Sequence, residues 1–331
     1  MKQLRPLPED YSDIRTGGKA EMSVRVHGKE VFLELTWTSD RLGRYGRMDP
    51  DEDELECIRL ELIGLGIERL AEVEGLDELP RLDVLSLCLN NIRALDELAG
   101  MPWAGKLEIL DVQSNPLERL DGLAAACKAL ERLEISGGLW QDAPTPALDE
   151  FEHLTQLRLT RASSLRGIGN LPMLESLLAN ENCSIQRIEG LDGLPNLKNL
   201  SLAGNHIKKI EGLGGMPNLE RLDLGNNRIE RIEGLDRLAK LRFLFLSDNH
   251  IMQIEGLDEL ENLYQVILVN NPIPGIDHYK AMLRDWPTDV PRSDEGYKEL
   301  LERSGIHLSP AVKARWMKTL ELRLYDYNQP L

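Results

Sequence analysis

Residues 219–229 read LERLDLGNNRI, and this stretch decides how the rest of the chain is interpreted. The same arrangement occurs earlier as LKNLSLAGNHI at residues 197–207 and later as LRFLFLSDNHI at residues 241–251, a period of 22 residues. A fixed period of about 20 to 50 residues is typical of a repeat architecture, in which stacked units bury the apolar side that one unit leaves exposed. Looser copies on either side predict about ten units between residues 57 and 275.

Each position of the unit has a physical role. The alternating residues predict a short strand in which Leu222 and Leu224 point into the core, while Arg221 and Asp223 point outward. An asparagine in the turn that follows can bond backbone groups that the bending chain leaves unpaired. The predicted structural column of turn asparagines is Asn90, Asn115, Asn182, Asn205, Asn227, Asn249 and Asn271. The IEGL segments, such as residues 210–213, are expected to return the chain in short helical turns.

This LxxLxLxxNxI pattern resembles the leucine-rich repeat family over roughly two thirds of the chain. It is most similar to a 22-residue subclass that includes a regulatory subunit of protein phosphatase 1 and the repeats of bacterial internalins. The resemblance implies an α/β solenoid with a parallel sheet on a curved, concave face and short 3-10 or helical turns on the convex face. It is specific for a fold and implies little about function.

The two ends of such a solenoid need caps, because each would otherwise expose core. Residues 22–26 and 31–37 flank His27-Gly28-Lys29, which predicts a β-hairpin that adds strands to the first repeat. Ser293 and Ser309-Pro310 are good helix starts and predict helices near 294–303 and 310–325. In the second helix an apolar stripe is expected to pack on the body, formed by Val312, Trp316, Leu320 and Leu324.

The expected domain organisation follows from these elements. Residues 1–55 form an N-terminal cap with the hairpin and an acidic linker, residues 56–275 form the repeats, and residues 276–331 form a C-terminal cap and helical extension. No enzyme motif is recognisable, so we expect no catalytic residue, no cofactor and no metal site.

Composition excludes several classes of partner. The net charge of −17 argues against nucleic acid and against an anionic membrane surface, because both require a surplus of lysine and arginine. No apolar run approaches the roughly 20 residues that span a bilayer, and residues 1–20 are too polar for a secretion signal. The four cysteines are widely spaced, as in reduced proteins. The sequence therefore predicts a cytoplasmic protein.

The outward strand positions are the candidate binding face. Most are polar, but Phe243 and Phe245, two of only four phenylalanines, both point outward from one strand. Aromatic residues and arginine dominate the energetics of protein interfaces. The predicted protein-binding residues are Phe243, Phe245, Arg221, Asp223, Ile267, Gln265, Asn199 and Arg158. The alternative is that the C-terminal tail folds back and covers the two phenylalanines as an internal cap.

The sequence therefore predicts a non-catalytic scaffold or regulatory adaptor that binds a partner protein on its concave face. By resemblance alone, the partner is a phosphatase or a small GTPase. Two alternatives remain open at this point. One is an enzyme or effector whose activity lies in the terminal extensions, and the other is a self-assembling protein, such as a homodimer formed through the apolar patch.

Overall fold

The computed structural model describes residues 23–32, 34–36, 57–136, 148–166, 168, 170–180, 184–278, 282, 287–290, 294–315 and 321–323. These residues form two compact units: unit 1 contains those up to Arg158, and unit 2 contains those from Leu159 onward. The boundary falls inside the repeats. The division at residues 55 and 275 stays a prediction.

Unit 1 contains part of one large sheet, parallel except at β3, and one small antiparallel sheet. Its strands are β1 Ser23–Val26, β2 Lys29–Phe32, β3 Glu34–Thr36, β4 Cys57–Glu61, β5 Val73–Glu74, β6 Val84–Ser86, β7 Ile109–Asp111, β8 Arg132–Ser136 and the start of β9 Gln156–Thr160. The large sheet has the order β3-β4-β6-β7-β8-β9, and the small one has the order β2-β1-β5. Short helical segments return the chain at Leu70–Glu72, Asp96–Gly100, Ala104–Lys106, Leu148–Glu150 (all 3-10) and Leu123–Ala126 (α1).

Unit 2 continues the pattern of one short strand per repeat. Its strands are β10 Ser176–Leu178, β11 Asn199–Ser201, β12 Arg221–Asp223, β13 Phe243–Phe245, β14 Gln265–Ile267 and β15 Glu321–Arg323, paired in chain order and in parallel. Between the last two strands, the described residues include helical residues at 276–278 and 282, followed by α2 Asp294–Arg303 and α3 Pro310–Arg315.

The register places equivalent positions of successive repeats side by side, as the repeat period predicts. Leu222 pairs with Leu244, and Leu244 pairs with Val266, all three at 0 % exposure. Such a column removes one large aliphatic side chain per repeat from water, worth about 1.5–3 kcal/mol each. The alternate positions of the same strands face outward, so the predicted alternation of core and outward residues is confirmed.

The N-terminal hairpin forms among the described residues. β1 pairs with β2 antiparallel across the two-residue turn His27-Gly28, in which both residues have positive φ. Glu34–Thr36 pairs antiparallel with β4 at the first repeat. The backbone groups of β4 would otherwise be an unpaired sheet edge. Leu33 and Trp37 lie outside the described residues, so the single strand expected over residues 31–37 stays a prediction.

The C-terminal extension also differs from its prediction. α2 matches residues 294–303, and α3 begins at Pro310, where the Ser309 hydroxyl accepts a hydrogen bond from the Val312 amide at 3.3 Å. A helix to residue 325 is wrong, since β15 pairs with β14. Val312 is buried on α3 as the stripe requires. The other stripe residues, Trp316, Leu320 and Leu324, lie outside the described residues. So does Ser293, the predicted start of the first helix.

The IEGL segments of unit 2 are not helical. Gly212, Gly234 and Gly256 each adopt positive φ, near +70°. A β-carbon at Gly234 would lie 2.3 Å from the carbonyl oxygen of Ile210, one repeat earlier. Glycine is therefore required here by close stacking of neighbouring repeats as well as by backbone conformation.

Candidate functional site

The asparagine column fixes the turn that follows each strand. The Asn227 side-chain amide donates to the carbonyls of Leu202 at 2.9 Å and Leu224 at 3.1 Å, while its Oδ1 accepts from the Ile207 amide at 3.0 Å. Equivalent bonds are made by the buried residues Asn90, Asn115, Asn205, Asn249 and Asn271. Asn182 lies outside the described residues. The column satisfies buried backbone groups and links consecutive repeats.

The outward strand face consists of the alternate, outward-pointing positions of the parallel strands. In unit 2 it contains the predicted residues Asn199, Arg221, Asp223, Phe243, Phe245, Gln265 and Ile267. Arg221 is exposed and the other six are half-buried. The register places Phe243 between Arg221 and Gln265, and Phe245 between Asp223 and Ile267. Arg158, the remaining predicted residue, belongs to unit 1.

Two arginines lie over the two phenylalanine rings. The Arg221 guanidinium carbon is 4.2 Å from the centroid of the Phe245 ring, and that of Arg242 is 5.4 Å from the centroid of Phe243. Both distances are within the range of cation–π attraction. The rings are therefore held in place by their own neighbours, and they contribute apolar surface beneath positive charge.

Tyr264 completes this arrangement. Its ring packs edge-on against Phe243, with centroids 5.9 Å apart and an interplanar angle of 72°, and the residue is 51 % exposed. We call Arg221, Arg242, Phe243, Phe245, Tyr264 and Ile267 the aromatic patch.

Two members of the aromatic patch are absent from the sequence prediction. Arg242 and Tyr264 each precede an outward strand position, so a list of alternate strand residues omits them. The signal that could have found Tyr264 is its rarity: it is the only tyrosine in residues 56–275. Arg242 carries no such signal, because charged residues are common at that position.

The outward strand face of unit 1 is a polar network. Asp111 accepts hydrogen bonds from the Ser86 hydroxyl at 3.1 Å and from the Gln113 backbone amide at 3.0 Å. The side-chain Nε2 of Gln113 donates to Glu134 at 2.6 Å. Asp111 and Glu134 are paired in register on adjacent strands. Burial, and secondly the charge of Asp111, raise the pKa of Glu134. The same two causes, with burial the larger, raise the pKa of the Cys88 thiol.

Arginines on the two faces have different partners. In unit 1, Arg59 lies 3.5 Å from Glu61, Arg158 lies 4.0 Å from Glu134, and Arg132 Nε donates to Gln156 at 2.7 Å. In unit 2, neither the Arg221 nor the Arg242 guanidinium has an oxygen acceptor among the described residues. Their N–H groups remain available to a partner.

Across the described ranges, no group of three or more histidine, cysteine or carboxylate side chains is arranged to hold a metal ion. The expectations of no metal, no cofactor and no catalytic residue stay predictions. No helix in the part of the chain that the structure describes has the length and apolarity to cross a membrane.

The family comparison addresses the repeats directly. A family model described as "Leucine Rich repeats (2 copies)" matches residues 172–213 and 195–237. Residues 172–237 therefore match leucine-rich repeats. Proteins built from these repeats generally act as protein-binding scaffolds, and the repeat fold is typically non-catalytic.

Relatives of known structure or name are distant. The Toll–Spatzle complex of Drosophila contains a chain 24 % identical over 65 % of this chain and 30 % of that chain, with a TM-score of 0.54, which shows a shared fold. An internalin, InlF of Listeria monocytogenes, is 20 % identical over 82 % of this chain and 87 % of that one, with a TM-score of 0.49.

One curated protein, geranylgeranyl transferase type-2 subunit alpha of Sus scrofa, is 28 % identical over 120 residues. That match covers 36 % of this chain and 21 % of the transferase subunit, so the chain spans about a fifth of that relative.

Proposed function

We propose that this leucine-rich repeat protein is a non-catalytic scaffold or adaptor that binds a partner protein on the outward strand face of unit 2. The observation that carries the proposal is the aromatic patch, in which Phe243 and Phe245 point outward with arginines on their rings. Elsewhere the described outward positions are mostly polar, so this patch is the natural centre of an interface.

The patch has the physical properties of a binding centre. Tyrosine, phenylalanine and arginine contribute much of the energy of known interfaces, because they bury large area at little conformational cost. Phe243 and Phe245 are already half-buried by their neighbours, so binding orders them little further. A surface prepared in this way loses less free energy to side-chain ordering than a flexible one.

The finer parts of this proposal have two sources. We propose a phosphatase or small GTPase as the partner class because of the resemblance to the family, and a cytoplasmic location because of the sequence composition. The alternatives are a homodimer formed through the aromatic patch and an enzyme or effector whose activity lies in the terminal extensions. The match to a transferase subunit supports no catalytic role for this chain, because it covers only 36 % of the chain.

The test is affinity capture from a lysate of the source organism followed by mass spectrometry. The double variant Phe243→Ala/Phe245→Ala is compared with the wild type, and Ile109→Ala/Arg132→Ala serves as a matched control on the outward strand face of unit 1. We expect the patch variant to lose a partner that the control retains. Equal recovery of every protein by both variants would remove the patch as the binding site.

Light scattering on the purified protein distinguishes a homodimer from a monomeric adaptor. A dimer that dissociates in the patch variant, with no other protein captured, would replace the adaptor proposal by self-assembly.

A further inference from the structure

The chemistry of the aromatic patch restricts the kind of protein segment that fits it. The patch carries the two positive charges of Arg221 and Arg242. The carboxylates on or next to the same strands are Asp223 and Glu220, which precedes β12 as Arg242 precedes β13. Asp223 uses Oδ1 to accept the Gly225 backbone amide at 3.1 Å. The patch therefore presents two guanidinium groups in a protein whose net charge is −17.

The Arg221 guanidinium is prepared to bind a carboxylate. Its guanidinium carbon lies over the Phe245 ring, 4.2 Å from the centroid, so the ring restrains the position of the charged group. Arg221 is exposed, and no described oxygen accepts from its guanidinium N–H groups. Because stacking restrains the side chain, a carboxylate that approaches edge-on gains two parallel hydrogen bonds at a reduced entropy cost.

We infer that the patch recognises a short partner segment that presents one or two carboxylates beside an aromatic or large aliphatic side chain. The carboxylate binds Arg221, and the apolar side chain packs on Phe243, Tyr264 and Ile267. This inference rests on the proposed function and specifies the partner for the same site.

The net negative charge of the chain limits how acidic the partner segment can be. Charges farther than a Debye length, about 8 Å at physiological ionic strength, are largely screened, so a single carboxylate experiences mainly the adjacent arginines. A long acidic tract would extend beyond the patch onto a strongly negative protein and would be repelled. The preferred segment is therefore sparsely charged.

A random library of short peptides displayed on phage, selected against the full chain, tests this inference without a known partner. We expect enriched peptides to carry Asp or Glu next to an apolar residue. Their affinity, measured by fluorescence anisotropy on synthetic copies, should fall about tenfold in Arg221→Gln, the loss expected for a charge-assisted hydrogen bond. Arg221→Lys should recover only part of it, because lysine lacks the bidentate fork.

The controls separate this inference from the proposed function. Arg231→Gln removes an exposed arginine outside β12–β14, one paired with Glu255 at 2.9 Å, and should leave peptide affinity unchanged. Replacing the peptide carboxylate by its amide should add no further loss in Arg221→Gln, as expected for two groups in contact.

Peptides that need Phe243 and Phe245 but carry no carboxylate, or that ignore Arg221→Gln, would overturn the inference and leave the adaptor proposal intact. If no enriched peptide depends on the two phenylalanines, the inference fails, and the adaptor proposal is judged by the lysate capture alone.

Discussion

The outward strand faces of the two units have the same backbone and opposite surface chemistry. In unit 1, Asp111, Gln113 and Glu134 bond one another or their neighbours, so most polar groups there have partners within the chain. In unit 2, Arg221 and Arg242 contact aromatic rings and keep their hydrogen-bonding groups open. A partner that binds unit 1 must replace existing hydrogen bonds, whereas a partner at the aromatic patch forms new ones.

This difference shows that the repeat fixes the scaffold and leaves the outward positions free to vary. The core leucines and the turn asparagines are alike in both units because each has a packing or hydrogen-bonding role. The outward positions are needed neither for the leucine core nor for the asparagine column, so any side chain compatible with a strand is tolerated there. Predictions about the scaffold should therefore hold in both units, and predictions about the faces should differ.

The largest expected effect is on the shared scaffold. Asn227→Ala leaves the Leu202 and Leu224 carbonyls and the Ile207 amide without these bonds, and should lower the free energy of unfolding by about 3 kcal/mol. Asn115→Ala in unit 1 should cost a similar amount, because its bonds are equivalent. Urea unfolding measures both, with the exposed Lys209→Ala as control. A cost confined to one unit would show that the columns are not equivalent.

The second prediction concerns the stacking glycines. Gly234→Ala places a β-carbon 2.3 Å from the Ile210 carbonyl oxygen, and backbone strain and the clash together should cost about 2–3 kcal/mol. Gly122 in unit 1 also has positive φ, +73°, but nothing lies within 4 Å of its β-carbon position. Gly122→Ala should cost only about 1 kcal/mol. Equal losses in thermal unfolding would mean that backbone conformation, without stacking, requires glycine at both positions.

The third prediction separates patch from core. Leu244→Ala opens a cavity in the core and should cost about 3 kcal/mol, while Phe243→Ala and Phe245→Ala on the same strand should cost about 1 kcal/mol each, because the rings are only half-buried. Chemical denaturation of the three variants provides the comparison. If the phenylalanine variants lost as much free energy of unfolding as Leu244→Ala, the rings would be structural and the patch would lose its role as a free surface.

The smallest effect concerns the polar face of unit 1. Burial raises the pKa of Glu134 above its ordinary value of 4.5. Between pH 4.5 and the folded-state pKa, the folded state therefore binds more protons than the unfolded state. Stability due to this group is therefore present below pH 4.5 and falls as pH rises through the folded-state pKa. Glu134→Gln should flatten that decline in the urea midpoint between pH 4 and pH 8. An unchanged slope would place the dependence on other carboxyl groups.

The sequence predicts the regular parts of this protein well. The 22-residue period places each strand, and strand alternation then separates buried Leu222 and Leu244 from outward Arg221 and Phe243. Such predictions succeed because each depends on local geometry repeated many times, so that one conformation must satisfy all repeats.

The prediction for the C-terminal helix fails because a distant partner competes with local preference. Residues 321–323 were expected to extend a helix, but pairing with β14 satisfies backbone groups at a sheet edge and gives a strand. The alternation of Leu322 and Leu324 with charged residues is compatible with either structure.

The sequence by itself determined the repeat, its strands, the asparagine column and the outward position of two of the four phenylalanines, since all of these follow from period and alternation. The tertiary structure alone decided that Arg221 lies over Phe245, that Arg242 and Tyr264 join the aromatic patch, and that unit 1 pairs its own polar groups. The physical reason is that side-chain contacts between repeats depend on rotamers and on neighbours one period away, which no local pattern specifies.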